Sequence, residues 1–174
     1  HLSNFTDFNV LERDERVHLY YTNNVNDIMK ADIVLLPGSK NTLDDLYELR
    51  RNGVAQAILK AQQEGATVLG ICGGYQMMGL EVRDPEGVEG DVRMLPGLGL
   101  LPVITTMQGN KVTRQVDFTF DGTGTVCKGY EIHMGRTVPV EGAPPSPLNQ
   151  LVDGREDGYR NNQKCMGTYI HGIL

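Results

Sequence analysis

Gly70-Ile71-Cys72-Gly73-Gly74-Tyr75-Gln76 is the stretch that leaves this chain the fewest ways to fold. Thr67-Val68-Leu69-Gly70-Ile71 in front of it is short, aliphatic and β-branched, which predicts a buried strand. Gln76-Met77-Met78-Gly79-Leu80 behind it predicts the first turns of a helix. Cys72 then stands at a sharp strand-to-helix corner, with Gly70 and Gly74 two residues to either side, where backbone segments come too close for a Cβ. This is a nucleophile elbow written with Cys in place of Ser. It turns the thiol out at the carboxyl end of the sheet and sets the sulfur over a helix amino terminus, whose dipole and free N–H groups favour a thiolate.

The segments before the elbow extend this into a fold. Ile33-Val34-Leu35-Leu36 is a bare apolar run stopped by Pro37-Gly38-Ser39, a strand buried on both faces. Thr42 suits a helix N-cap with Asp44 and Asp45 in the first turn; Leu43, Leu46, Tyr47 and Leu49 form the apolar side, and Asn52-Gly53 ends the helix. A second helix is expected over Val54 to Glu64, closed by Gly65. Strand, helix and strand in that order make a parallel βαβ unit. The fold class is therefore α/β, with a mainly parallel central sheet and helices on both faces.

Other elements are read more coarsely. Ser3-Asn4-Phe5-Thr6-Asp7-Phe8 suggests a loop with two aromatic anchors, Val17 to Tyr21 a strand, and Val25 to Lys30 a helical turn. Asp84 to Gly97, rich in Gly, Pro and charge, reads as an excursion. Leu98 to Ile104 and Val112 to Phe120 read as strands joined by a turn at Gln108-Gly109-Asn110, followed by a strand over Val126 to Ile132. The prolines clustered between Val138 and Gly158 mark a surface loop, and a last strand over Met166 to Ile170 delivers His171.

With 174 residues and 40% hydrophobic content the chain supports one domain with a real core. A net charge of −6 and no basic block argue against nucleic acid or an anionic membrane as partner. No apolar run approaches the ~20 residues a bilayer span needs, and no signal peptide opens the chain. Cys72, Cys127 and Cys165 lack metal-ligand spacing, so no metal site is expected and the setting reads as reducing and cytoplasmic. The chain begins at His1 and stops shortly after a His-Gly pair, as a piece of something larger would.

A cysteine nucleophile needs a base. Of the four histidines, His1 is terminal and His18 lies within an alternating segment, whereas His133 and His171 each follow an apolar strand and so reach the sheet edge to which Cys72 points. His171 is the better base. An oxyanion hole is also needed: the N–H of Gly73 supplies one donor by elbow geometry, and Pro37-Gly38-Ser39-Lys40 ends a neighbouring strand where the second should lie. Gly38 to Thr42 is not a phosphate loop, because the first Gly of that motif and its spacing are missing.

Leu36-Pro37-Gly38-Ser39, Gly70 to Gln76, Gly129-Tyr130-Glu131-Ile132-His133-Met134-Gly135-Arg136 and Tyr169-Ile170-His171-Gly172 together resemble class I (triad-type) glutamine amidotransferases, whose fold is flavodoxin-like. Within them the chain is similar to the carboxyl-terminal glutaminase domains of the cobyric acid synthase family, the Ser3 to Phe8 lead included. The resemblance covers nearly the whole chain in order. It implies that Cys72 attacks the side-chain amide of glutamine and that His171 serves as acid and then base. It also implies that Gly38 and Gly73 stabilise the oxyanion, that Ser39 belongs to the same oxyanion and substrate-binding group, and that Gln76 and His133 line the glutamine pocket. Arg114 would meet the substrate carboxylate, on charge and a loose alignment. Residues 1–15 would lead in from a missing amino-terminal synthetase domain and 16–174 would form the amidotransferase domain. ATP and Mg belong to that missing domain, with no cofactor in this one; it would amidate cobyrinic acid diamide carboxylates for cobalamin. Most class I members carry a glutamate two residues past the histidine, where this chain has Ile173, as cobyric acid synthases also lack it. Glu131 is a candidate to orient His171 instead. Two rival readings are a glutaminase subunit for amidating a cell-wall lipid precursor, and a non-catalytic or redox-sensing domain with Cys72 as an oxidisable thiol.

Overall fold

The computed structural model describes residues 2–3, 8–120, 123–162 and 164–172. Asn4 to Asp7 and Ile173 lie outside the described residues. The central sheet holds β2 (Ile33–Leu36), β4 (Thr67–Ile71), β13 (Tyr159–Asn161) and β14 (Cys165–Thr168) in the order β13-β14-β4-β2. β2 and β14 both run parallel to β4, and only the edge strand β13 is antiparallel, so the sheet is mainly parallel. β4 is buried along Val68 to Ile71, as a strand covered on both faces must be.

The βαβ unit forms as expected: α3 (Thr42–Arg51) and α4 (Val54–Gln63) connect β2 to β4. The α3 N-cap is Asn41, one residue before the expected Thr42, because the Asn41 side chain accepts from the Asp44 N–H while Thr42 is drawn inward. Gly53, at φ 82°, makes the turn between the helices, and Val54, Ala57, Ile58 and Ala61 bury the inner face of α4.

Two further sheets flank this core. β5 (Glu81–Arg83), β6 (Met94–Pro96), β7 (Val103–Thr106) and β10 (Arg136–Pro139) run in the order β10-β7-β5-β6. β8 (Val112–Phe120), β9 (Val126–His133), β11 (Asn149–Leu151), β12 (Glu156–Asp157) and β15 (Ile170–His171) form an antiparallel sheet ordered β12-β11-β8-β9-β15. A two-stranded pair, β1 (Leu2–Ser3) with β3 (Gly38–Ser39), joins the start of the chain to the turn after β2. Two short helices, α1 (Asn9–Arg13) and α2 (Val25–Met29), complete the order, with α5 (Gly73–Met78) following β4.

Several expectations are corrected. Val17 to Tyr21 forms no strand: Val17, Tyr20 and Tyr21 are exposed and the alternation has no sheet edge to join. Leu98 to Leu101 is a loop rather than strand, because the N–H groups of Leu98, Gly99, Leu100 and Leu101 satisfy carbonyls of Met77, Met78 and Gly79 at the end of α5. Residues 108–110 do not close a hairpin, since β7 and β8 belong to different sheets. The expected surface loop over Val138 to Gly158 contains β11 and β12, and its Leu148 and Asn149 are fully buried. The last strand is two strands. β14 ends at Thr168, the chain steps at Tyr169, and β15 joins the antiparallel sheet. Among the described residues no helix is long and apolar enough to cross a membrane.

Candidate active site

The elbow forms as the glycines require. Cys72 has φ 55° and ψ −113°, a strained conformation for a residue with a Cβ. It is held there by backbone bonds on both sides: its N–H donates to Thr168 O at 2.8 Å, and its carbonyl accepts from Gln76 N–H at 3.1 Å. A Cβ on Gly70 would lie 2.6 Å from Met78 Sδ, and one on Gly74 would run into the Leu36 carbonyl. α5 therefore packs onto β4 and β2 at a separation that excludes any side chain at these two positions. The Cys72 thiol is partly exposed and donates to Ile132 O at 3.1 Å, so the sulfur reaches across to the end of β9.

The loop after β2 lies against the elbow. A Cβ on Gly73 would sit 2.9 Å from both Ser39 N and Ser39 Cβ, so the backbone of Gly38 and Ser39 is next to the amide that follows Cys72. Gly38 is buried. The Ser39 hydroxyl is turned away to donate to the Asp45 carboxylate and to accept from Asn41 N–H at 3.1 Å, which fixes the loop on the first turn of α3. Glu89, from the excursion, adds a second clamp by accepting from Thr42 N–H at 3.0 Å. That excursion is itself closed by the buried Asp84, whose two oxygens accept from Val88 and Glu89 N–H.

His171 arrives from the other direction. β14 is the parallel neighbour of β4, with Thr168 opposite Ile71, so His171 comes three residues after the residue whose carbonyl is bonded to Cys72. In β15, His171 pairs with Tyr130 and Ile170 with Glu131. The imidazole is fully buried and stacks on the Tyr130 ring, with centroids 4.9 Å apart and planes at 12°. The step at Tyr169 is secured by the buried Asp157, which accepts from the Thr168 hydroxyl, from Tyr169 N–H at 3.0 Å and from Asn149 Nδ2 at 2.9 Å. Burial pushes the Asp157 carboxyl up despite these three donors.

The remaining expected residues are committed to scaffolding contacts. Gln76 is 2% exposed: its Oε1 accepts from the Thr42 hydroxyl at 2.8 Å, and its Nε2 donates to Met134 O at 2.8 Å and to Tyr169 Oη at 3.1 Å. His133 stacks on Tyr169, 3.8 Å between centroids, with Nδ1 3.1 Å from Gly135 O and Nε2 3.1 Å from Glu131 Oε2. Arg114 lies opposite Glu131 in the β8–β9 ladder, its Nε 3.4 Å from Glu131 Oε1, and Arg155 reaches the same oxygen at 3.2 Å. Burial raises the Glu131 carboxyl, but the His133 hydrogen bond and the charges of His133, Arg155 and Arg114 outweigh it and the net shift is downward. Glu131 and His133 leave β9 on the face opposite Tyr130, so Glu131 does not share a face with the His171 ring. Cys72, Gly73, Gly38 and Ser39 thus lie together, and His171 follows the Thr168 carbonyl that fixes the Cys72 amide, while Gln76, His133 and Arg114 make their contacts around them. Sequence reasoning missed Tyr130, Asp157 and Arg155. Only Tyr130 carried a signal, an aromatic two positions from Ile132 in the expected strand.

Among the described residues no group of three His, Cys, Asp or Glu side chains is arranged to hold a metal.

The whole chain, residues 1–174, matches the family described as "CobB/CobQ-like glutamine amidotransferase domain". It is 75% identical to a cobyric acid synthase of Phocaeicola vulgatus and 72% identical to one of Bacteroides fragilis, in each case over 174 residues, all of this chain and 35% of the relative. The chain therefore spans about a third of the length of these relatives. Among solved structures, a glutamine amidotransferase superposes with a TM-score of 0.71 at 16% identity, covering 98% of this chain and 86% of that one, a likeness of fold.

Proposed function

Because the chain belongs to the CobB/CobQ-like glutamine amidotransferase domain family, we propose that Cys72 and His171 hydrolyse the side-chain amide of glutamine and that the ammonia feeds the amidation of a corrinoid carboxylate by a cobyric acid synthase. The observation that supports it most is the strained Cys72 elbow beside the Gly38-Ser39 backbone, with His171 brought in three residues after the carbonyl that fixes the Cys72 amide.

The thiolate of Cys72 attacks the amide carbon, and the carbonyl oxygen takes the negative charge. The Gly73 N–H and the Gly38-Ser39 backbone receive that oxyanion, a contribution on the order of 3–4 kcal/mol per donor to the transition state. His171 hands a proton to the departing nitrogen, ammonia leaves, and a glutamyl thioester remains on Cys72. The imidazole, now neutral, takes a proton from water as it attacks the thioester; glutamate departs and the sulfur leaves as thiolate.

In this reading residues 1–15 lead in from a synthetase domain, and ATP and Mg are used there rather than in this chain. The proposed setting is the cytoplasm, where the free thiols of Cys72, Cys127 and Cys165 stay reduced. The test is intact-mass spectrometry after incubation with a glutamine-mimicking diazoketone, followed by peptide mapping. One adduct at Cys72, suppressed by excess glutamine and lost in Cys72→Ala, is expected. A full-length protein that hydrolyses glutamine yet takes no label at Cys72, or retains activity in Cys72→Ala, would overturn the assignment.

A further inference from the structure

We propose that Tyr130 is a positioning residue for His171, its ring setting the plane in which the imidazole presents its nitrogens. The inference rests on the glutaminase reading of Cys72 and His171. Tyr130 and His171 are directly opposed in the β9–β15 ladder, so both side chains leave the same face at the shortest cross-strand spacing. The rings lie nearly parallel, 12° between planes and 4.9 Å between centroids. The two backbones have no room to slide: a Cβ on the neighbouring Gly129 would lie 2.8 Å from Ile170 Cγ2 and would press on the His171 carbonyl.

The torsion that matters is the second one of the imidazole, which is broad and roughly two-fold in an unconstrained histidine. A base that must first give a proton to a leaving nitrogen and then take one from water needs its plane held, and a flat ring laid against it holds that plane. Stacking requires an aromatic face and no hydroxyl, so the phenol oxygen of Tyr130 is dispensable to this role. It also acts on orientation alone. It leaves the elbow, the oxyanion donors and substrate binding untouched.

Tyr130→Phe and Tyr130→Val in the full-length protein test this, with Cys72→Ala and His171→Ala alongside. Tyr130→Phe should keep kcat within about threefold of wild type, whereas Tyr130→Val, a strand former without a ring, should lower kcat about 10- to 100-fold with KM within about threefold. Stoichiometric diazoketone labelling of Cys72 should persist in both, separating a misaimed base from a collapsed site. Tyr130→Leu replaces Tyr130→Val if the latter does not fold. A ringless variant with wild-type kcat overturns the proposal, as does a Phe variant that loses as much as the Val variant. If Cys72→Ala or His171→Ala leaves hydrolysis intact, it is the glutaminase reading that fails; if both abolish hydrolysis and the ringless variant does not slow it, Tyr130 alone is misassigned.

Discussion

Replacing Gln76 by leucine separates a side chain that faces substrate from one that braces the site. Gln76 closes three hydrogen bonds from a nearly solvent-free position, linking α3 through Thr42, the β9–β10 turn through Met134, and the Tyr169 step. Leucine fills much the same volume and returns none of them. The Tyr169 hydroxyl keeps its bond with Thr137, but the Thr42 hydroxyl and the Met134 carbonyl lose the partners they have here. A polar group orphaned in a buried site costs about 1–3 kcal/mol. Two such losses give roughly 2–6 kcal/mol, less about 1 kcal/mol from the added apolar burial. A chain of this size loses about 2–4 °C of melting temperature per kcal/mol, so a fall on the order of 10 °C is expected by thermal denaturation. The same reasoning predicts that KM for glutamine, measured below the new transition, changes little. Unchanged melting with a strongly raised KM would refute the bracing role and return Gln76 to the pocket wall.

Two other perturbations follow from the same geometry. Glu131 is held below its ordinary range by His133, Arg155 and Arg114, so its contribution to stability is present above the unfolded value, about 4.3, and is lost as pH falls through the lower folded one. Glu131→Gln should therefore melt below wild type near neutral pH and converge with it on acidification; parallel melting curves across that range would contradict the linkage. Gly74→Ala should yield no folded protein, because the new Cβ and the Leu36 carbonyl would occupy the same space. A soluble Gly74→Ala chain with a native circular dichroism spectrum would show that α5 can lift away from β2.

The elbow was legible because its physics is local: Gly70, Cys72 and Gly74 within five residues, between an apolar strand and a helix, describe a corner too tight for a side chain at either glycine. The βαβ unit was legible for the same reason, since Ile33 to Leu36 and Thr67 to Ile71 are bare apolar runs with capped helices between. What failed depended on which sheet a strand joins. Val112 to Phe120 reads as a strand in any setting, but nothing in its residues says that it pairs with β9 and β11 and not β7. Asp157 sits in a proline-rich stretch that looks solvated, and its burial depends on Thr168 and Asn149 arriving from distant strands. His133, like His171, follows an apolar strand and was the lesser candidate for the base; the pleat sends it toward Tyr169 and Glu131.

The two groups proposed to react belong to different sheets, and this governs how the site responds to change. Cys72 leaves β4 in the mainly parallel sheet, while His171 lies in β15 of the antiparallel one. The span from Thr168 to Ile170 is a direct covalent link between the two sheets, as is Gly158 between β12 and β13. Thr168 holds the Cys72 amide, Asp157 holds Thr168 and Tyr169, and Ile170 pairs with Glu131. Cys72 itself is kept in a conformation that costs on the order of 1–3 kcal/mol, which persists because α5 is packed onto β4 and β2 without side chains at Gly70 and Gly74. Each sheet can thus remain intact while the distance and angle across the link change. Substitutions at the link, or on the aromatic face that His171 rests against, should accordingly alter turnover far more than they alter melting. Substitutions under the elbow should do the reverse, removing the fold before any loss of chemistry can be measured.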